Sequence, residues 1–213
     1  MNELIQLFKD NFVLNPVDVK EYQKMKVGPM KFLIEAYDIK GLGRLSYMKG
    51  GAMFNLMKMD TIILTPFEKD IPLISYDRIK VRKKDTILIE LFDTCQESMD
   101  YPSLGTIKEK YSSYSIYETK PAWYDSMRIK ESISYTTKKK YAFDELLKEY
   151  YTEFFRIILS SQNIDKDIKK PLDAKYVDGL LEHGGASTDM FLKKIGKEKT
   201  SQFFHRYLFG IED

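Results

Sequence analysis

The chain reads as an α+β fold: an antiparallel sheet built from its first half, with helices from its second half packed on it. Two observations predict this. Between residues 31 and 92 four or five strand-like segments, the first of them, Lys31–Ile39, alternating, are broken by short Gly, Pro and Lys/Asp turns, as sequential hairpin-linked strands require. After residue 143 the apolar spacing changes to three and four, the period of a helix with one buried face. At 213 residues, 43% of them apolar and 14% aromatic, the chain can bury a substantial core as one domain, 1–213.

Residues 2–12 have helical spacing (Leu4, Ile5, Leu7, Phe8, Phe12), and Asn15-Pro16 reads as the turn that ends this helix. Val17–Lys26 is a polar helix or loop leading to Gly28-Pro29. Lys31–Ile39 alternates as a first strand, and Gly41-Leu42-Gly43 turns it into Leu45–Met48. Gly50-Gly51 carries the strongest hairpin signal, since glycine accepts the positive φ of a tight turn. The partner strand is then Ala52–Leu64, closed by Thr65-Pro66 because proline cannot donate to a ladder. Ile71–Arg82 and Thr86–Phe92 follow, joined through Lys83-Lys84-Asp85. Residues 93–142, rich in Tyr and Ser, yield one strand, Arg128–Tyr135. Asp144–Ile158 is a helix with Leu146, Leu147, Tyr150, Tyr151, Phe154, Phe155 and Ile158 on one face. Pro171–Leu181 is the next, stopped at Gly184-Gly185, and Ser187 or Thr188 can cap a third, Asp189–Ile195. Lys199–Phe209 is the last, and these C-terminal helices cover one face of the sheet.

Composition excludes several function classes. Net charge is +2, from 34 basic and 32 acidic residues, too balanced to point to nucleic acid. One cysteine, Cys95, excludes an internal disulfide, and two histidines, His183 and His205, leave no His-rich metal site. No apolar run is long enough to cross a membrane, and the N-terminus mixes acids into its apolar residues, unlike a secretory leader. A soluble cytoplasmic protein is the expectation. Dinucleotide, phosphate-loop, zinc-protease and Ser-hydrolase signatures are absent. Met53, Met57 and Met59 read as core.

Two acids stand out because aspartate is disfavoured in strands. Asp60 interrupts the run up to Leu64, and Asp77 lies between Tyr76 and Ile79. A carboxyl facing a closed pocket is pushed toward protonation and becomes a proton donor near neutral pH. The plain structural readings are a solvent-facing Asp60, and an Asp77 paired with Arg78, Lys80 or Lys40.

The order of these features resembles the ferredoxin-dependent bilin reductases. The resemblance rests on Lys49-Gly50-Gly51, on Met59–Thr65-Pro66, on Ile71-Pro72-Leu73-Ile74-Ser75-Tyr76-Asp77 and on Ile87–Phe92. Pro121-Ala122-Trp123, Met190–Gly196 and Phe203–Gly210 extend it, so that it covers roughly residues 30–92 and 143–211. It implies a three-layer α/β/α sandwich with a central antiparallel sheet. It also implies a linear tetrapyrrole, biliverdin-like, held between the sheet and the C-terminal helices. An external ferredoxin or flavodoxin supplies electrons, buried carboxylates supply protons, and no metal or flavin is bound. Radical intermediates follow from one-electron transfers.

By this resemblance Asp77 matches the family's sheet aspartate, Asp60 falls where some members have a histidine, and Asp189 is the nearest substitute for an acid that aligns at Gly185. Where members have a glutamate on the preceding strand, this chain has Tyr47 or Met48. Met57, Met59, Ile62, Leu64 and Trp123 are candidates for the apolar lining. Arg78, Lys80, Arg128 and Lys58 are candidates for a basic rim toward two propionates. Arg82, Lys83, Lys84, Lys193, Lys194 and Lys197 offer a basic face to an acidic electron carrier. The alternatives are a bilin-binding protein without catalysis, an enzyme of the same fold for another tetrapyrrole such as a chlorophyll catabolite, and an unrelated α+β protein.

Overall fold

A computed structural model describes residues 3–52 and 56–212. Strands β1 (Leu14–Val17), β2 (Lys24–Val27), β3 (Met30–Ile39), β4 (Gly43–Ala52), β5 (Met57–Thr65), β6 (Leu73–Val81), β7 (Lys84–Phe92), β8 (Ser115–Ile116) and β9 (Ile133–Thr137) form one antiparallel sheet. Its order is β1-β3-β4-β5-β6-β7-β9-β8, with β2 also pairing β3. The centre, β3 to β7, is the meander expected from hairpin-linked strands.

Helices α1 (Glu3–Asn11), α2 (Pro102–Lys110) and α3 (Asp144–Ser160) bury one face of the sheet. Helices α4 (Lys166–His183), α5 (Ala186–Ile195) and α6 (Lys197–Gln202), with a π-helical turn Phe203–Leu208, bury the other. The molecule is therefore a three-layer α/β/α sandwich. Because strand side chains alternate, each strand feeds two separate cores. Ile62, Leu64, Tyr76, Ile87 and Ile89 meet α3 through Tyr151 and Phe154. Met48, Met59, Ile63, Leu73 and Phe92 meet Tyr176, Phe191 and Phe203. All seven apolar positions foreseen on the face of α3 are buried.

Several boundaries differ from the sequence reading. Asn15-Pro16 is not a turn but part of edge strand β1, with Pro16 opposite Tyr37; an edge position leaves proline's missing N–H without consequence. Between it and β3 lie a 3-10 turn, Lys20–Gln23, and β2. Gly50 and Gly51 are inside β4, opposite Met59 and Lys58, so the hairpin lies beyond Ala52. Met53 is outside the described residues. Gly50 has a packing reason: a Cβ there would stand 3.0 Å from the Met30 methyl and from the Phe32 ring.

The turn between β6 and β7 is Arg82-Lys83, with Val81 opposite Lys84 and Arg82 at a φ of 54°. Residues 93–142 supply α2, which sequence spacing did not reveal, and the strand expected there starts at Ile133 rather than Arg128. Helix α4 begins at Lys166, five residues before Pro171. Asp165 caps it by accepting from the Asp167 N–H, and buried Lys169 and Asp173 hold this first part in place.

Candidate functional site

Asp77 lies on β6 opposite Thr61 of β5 and Leu88 of β7. Its side chain shares a face with Leu73, four residues earlier, and so points toward the C-terminal helices. The residue as a whole is half-buried. Burial pushes its pKa up, opposed only by a short hydrogen bond from the Thr61 hydroxyl. No ion pair holds it among the described residues, which removes the expected bridges to Arg78, Lys80 or Lys40. A carboxyl of this kind holds its proton to higher pH than an exposed one and can deliver it into the space it faces.

Aromatic side chains pack on this same face of the sheet. Phe92 of β7 stacks on Tyr176 of α4 at 4.1 Å between ring centroids and meets Tyr124 edge-on at 5.3 Å. Trp123 packs 5.8 Å from Tyr176 and 5.5 Å from His183, and its indole N–H donates to the Gly184 carbonyl at 3.3 Å. The 3-10 turn Trp123–Ser126 holds Trp123 and Tyr124 over the sheet. Gly179, in mid-helix, makes room: a Cβ there would lie 2.3 Å from two carbons of the Trp123 ring. Met57, Ile79, Met127, Leu180, Leu181 and Met190 are only partly buried against this layer.

Glu90 is the acid that sequence reasoning missed. It lies on β7 opposite Ser75, two residues beyond Leu88, and so on the same face as Asp77. Its Oε1 is 2.8 Å from Arg128 Nη2, and Arg128 Nη1 is 3.0 Å from Asp125. The guanidinium also lies over the Tyr124 ring at 5.3 Å. Burial raises the Glu90 pKa, Arg128 opposes that, and Asp77 adds to it. Burial and the neighbouring Glu90, Tyr124 and Asp77 keep the Tyr176 hydroxyl protonated far into the alkaline range. The signal was present in the chain, since Glu90 interrupts Ile87–Phe92 just as Asp77 interrupts its own strand. Thr61, Tyr124 and Tyr176 have no such signature.

The remaining expected residues divide by face. Met59, Met57, Trp123 and Arg128 belong to the Asp77 side. Asp60 does not: strand alternation puts it on the opposite face, where the Tyr47 hydroxyl donates to its Oδ1 at 2.6 Å. The expected partnership of Asp60 with Asp77 is therefore corrected, because the sheet itself separates them. Asp60 instead lines a cavity of about 510 Å³ with Leu4, Leu7, Tyr76, Arg78 and Lys80. Ile62 and Leu64 are fully packed in the α1–α3 core. Arg78 is committed to Asp85 at 2.8 Å and Asp144 at 3.4 Å, and Lys80 lies 3.6 Å from Asp85. None of these four lines the Asp77 space. Lys58, also even-numbered on β5, is exposed. Asp189 is exposed on α5, its carboxylate folded against Gly184.

No protein-family model and no curated protein sequence matches this chain. Its three-dimensional structure matches that of tomato phytochromobilin synthase, a bilin reductase solved in complex with biliverdin, with a TM-score of 0.76. The match covers 98% of this chain and 82% of that one at 12% sequence identity. The resemblance to the bilin reductases first read from the order of motifs thus extends over the whole fold.

Proposed function

We propose that the protein is an oxidoreductase of a linear tetrapyrrole, a biliverdin-like bilin, with Asp77 as proton donor. The observation that carries this reading is Asp77: a half-buried residue whose carboxyl has no ion pair among the described residues, on the helix-facing side of a sheet whose fold is shared with a biliverdin-bound protein. Trp123, Tyr124, Tyr176, Met57 and Met59 supply the apolar and aromatic surroundings suited to a flat conjugated ligand. Arg128, held by Glu90 on Asp77's face of the sheet, suits a propionate.

Reduction of one bilin double bond takes two electrons and two protons. An external one-electron carrier, reduced ferredoxin or flavodoxin, supplies the electrons. Asp77 gives a proton to the bilin once an electron has made it basic, and is itself reloaded from water. Exposed Lys193, Lys194 and Lys197 beside α6, with Arg82, Lys83 and Lys84 at the β6–β7 turn, suit an acidic carrier.

Titration with biliverdin should shift its visible spectrum on binding, and photoreduced ferredoxin should then bleach the bound pigment. Asp77→Asn should bind the pigment but slow its reduction by about 10²–10⁴-fold and accumulate a radical absorbance. A bilin that binds wild type and never changes under reduction would falsify the enzymatic reading. A second reading, binding without catalysis, is favoured by the exposed position of Asp189 beside Gly185. Equal turnover by Asp77→Asn and wild type, with binding retained, would select it.

A further inference from the structure

Glu90 and Asp77 occupy diagonal positions on adjacent strands, with Asp77 opposite Leu88 and Glu90 opposite Ser75, a geometry that separates side chains on one face by roughly 7–8 Å or less. Glu90 is held by one cation. That cation, Arg128, is incompletely used: Nη2 is engaged by Glu90 and Nη1 by Asp125, while its buried Nε has no hydrogen-bond partner among the described residues. A guanidinium with one buried donor unsatisfied gains by taking a carboxylate across Nε and Nη2 with two parallel hydrogen bonds, in exchange for the Glu90 contact at Nη2. Glu90 also borders a cavity of about 600 Å³ at the β8–β9 edge, shared with Arg128, Lys108 and Ser134. Glu90 therefore borders this edge cavity and lies on the same face of the sheet as Asp77.

We infer that Glu90 is the second acid of the site, armed when a carboxylate of the bound tetrapyrrole takes Arg128 from it. The inference rests on the tetrapyrrole reading above and replaces Asp60 and Asp189 in that role. Without its cation, Glu90 faces Asp77 on β6, Asp125 and Tyr124 on the 3-10 turn and Tyr176 on α4. Each of these groups is acidic or neutral; the other cations on its side, Lys108 and Lys130, line the edge cavity, where Glu131 accompanies them. Desolvation and like charge then favour the neutral carboxyl, so ligand binding draws a proton onto Glu90. In the reaction the external one-electron carrier delivers two electrons in sequence. Asp77 gives one proton and Glu90 the other; one double bond of the ligand gains two hydrogens, and both carboxyls end as carboxylates. Glu90 is reprotonated from water in the edge cavity.

Calorimetric titration of the full chain with biliverdin, at neutral pH in buffers of different ionisation enthalpy, reads the proton directly. Wild type should take up about one proton per bilin bound. Glu90→Gln should still bind and lose that uptake. In single turnover with a photoreduced iron–sulfur carrier, Glu90→Gln should pass the first protonation at wild-type rate and stall at the second by about 10²–10⁴-fold, with Glu90→Asp partly restoring it. The same exchange is visible in wild type as a change of the Glu90 carboxyl from ionised to neutral in ¹³C NMR on adding biliverdin, which keeps the test valid if Glu90→Gln folds poorly. Unchanged proton uptake in Glu90→Gln, or an ionised Glu90 in the complex, overturns the inference and leaves the tetrapyrrole reading standing. Failure of wild type to bind biliverdin overturns both.

Discussion

Asp77 puts a buried carboxyl, proposed above as a proton donor, into the stability of the fold. Burial raises its pKa in the fold, so the folded chain holds the proton more tightly than the unfolded chain does. The resulting stabilisation is fully present below the unfolded carboxylate value, roughly pH 4, and is lost as pH rises through the raised folded value. Asp77→Asn removes the group that must ionise. Thermal unfolding should therefore give the variant a higher Tm than wild type at pH 8, at about 2–4 °C per kcal/mol gained, with the difference shrinking toward pH 4. A variant of equal or lower Tm at pH 8 would mean that the carboxyl is well solvated. Lys169 presents the opposite case. It and Asp173 have no exposure, their charges meet at 2.7 Å, and Lys169 also donates to the Thr94 carbonyl and hydroxyl. Lys169→Met leaves a buried carboxylate unpaired, and chemical denaturation should show a loss of about 3–5 kcal/mol. Lys169→Met with Asp173→Leu should recover most of it, because no buried charge remains.

At the scale of elements, α4 and the 3-10 turn that carries Trp123 are fitted to each other through Gly179. Glycine costs an internal helix about 1 kcal/mol relative to alanine, and the contact explains why it is tolerated. Gly179→Ala should improve the helix and yet displace the indole, since the new Cβ would enter the ring. Overpacking of about 1–3 kcal/mol outweighs the propensity gain. Trp123 is the single tryptophan of the chain, so a red shift of its emission reports the displacement, and an unshifted spectrum would refute it. Elements were legible where their period was long and unbroken. The meander from Met30 to Phe92 and the buried face of α3 were written in spacing alone. Helix α2 was not, because only Leu104 and Ile107 of its nine residues are buried, too few to mark a period. The Gly50-Gly51 hairpin was misread because glycine also serves close packing, and spacing does not distinguish the two uses.

On the scale of the whole molecule, the C-terminus closes one outer layer onto the sheet. Arg44 of β4 donates through Nη1 to the carbonyls of Arg206 and Tyr207, both at 2.9 Å, and the Ser46 hydroxyl donates to the Leu208 carbonyl at 2.5 Å. These bonds satisfy carbonyls at the end of the π-helical turn, which carries Phe203, Phe204 and Leu208 into the core. Arg44→Met should raise amide exchange across 203–211 while leaving α1 and α3, in the separate opposite core, protected. Exchange that rose equally in both layers would show one cooperative unit in place of two.

The sequence by itself determined the elements: alternation and helical spacing are local, and they dictate an antiparallel sheet with helices packed on it, and they make an acid within a strand, as at position 77, stand out. Only the tertiary structure decided which acids meet. One step along a strand reverses the face a side chain occupies, so Asp60 is sealed from Asp77 by the sheet although register sets it beside Arg78. Glu90, remote in the chain, stands on Asp77's face because β7 pairs β6 in the register that puts Leu88 opposite Asp77. Register and the packing of α4 are sums over many weak contacts, and no local pattern in the chain records them.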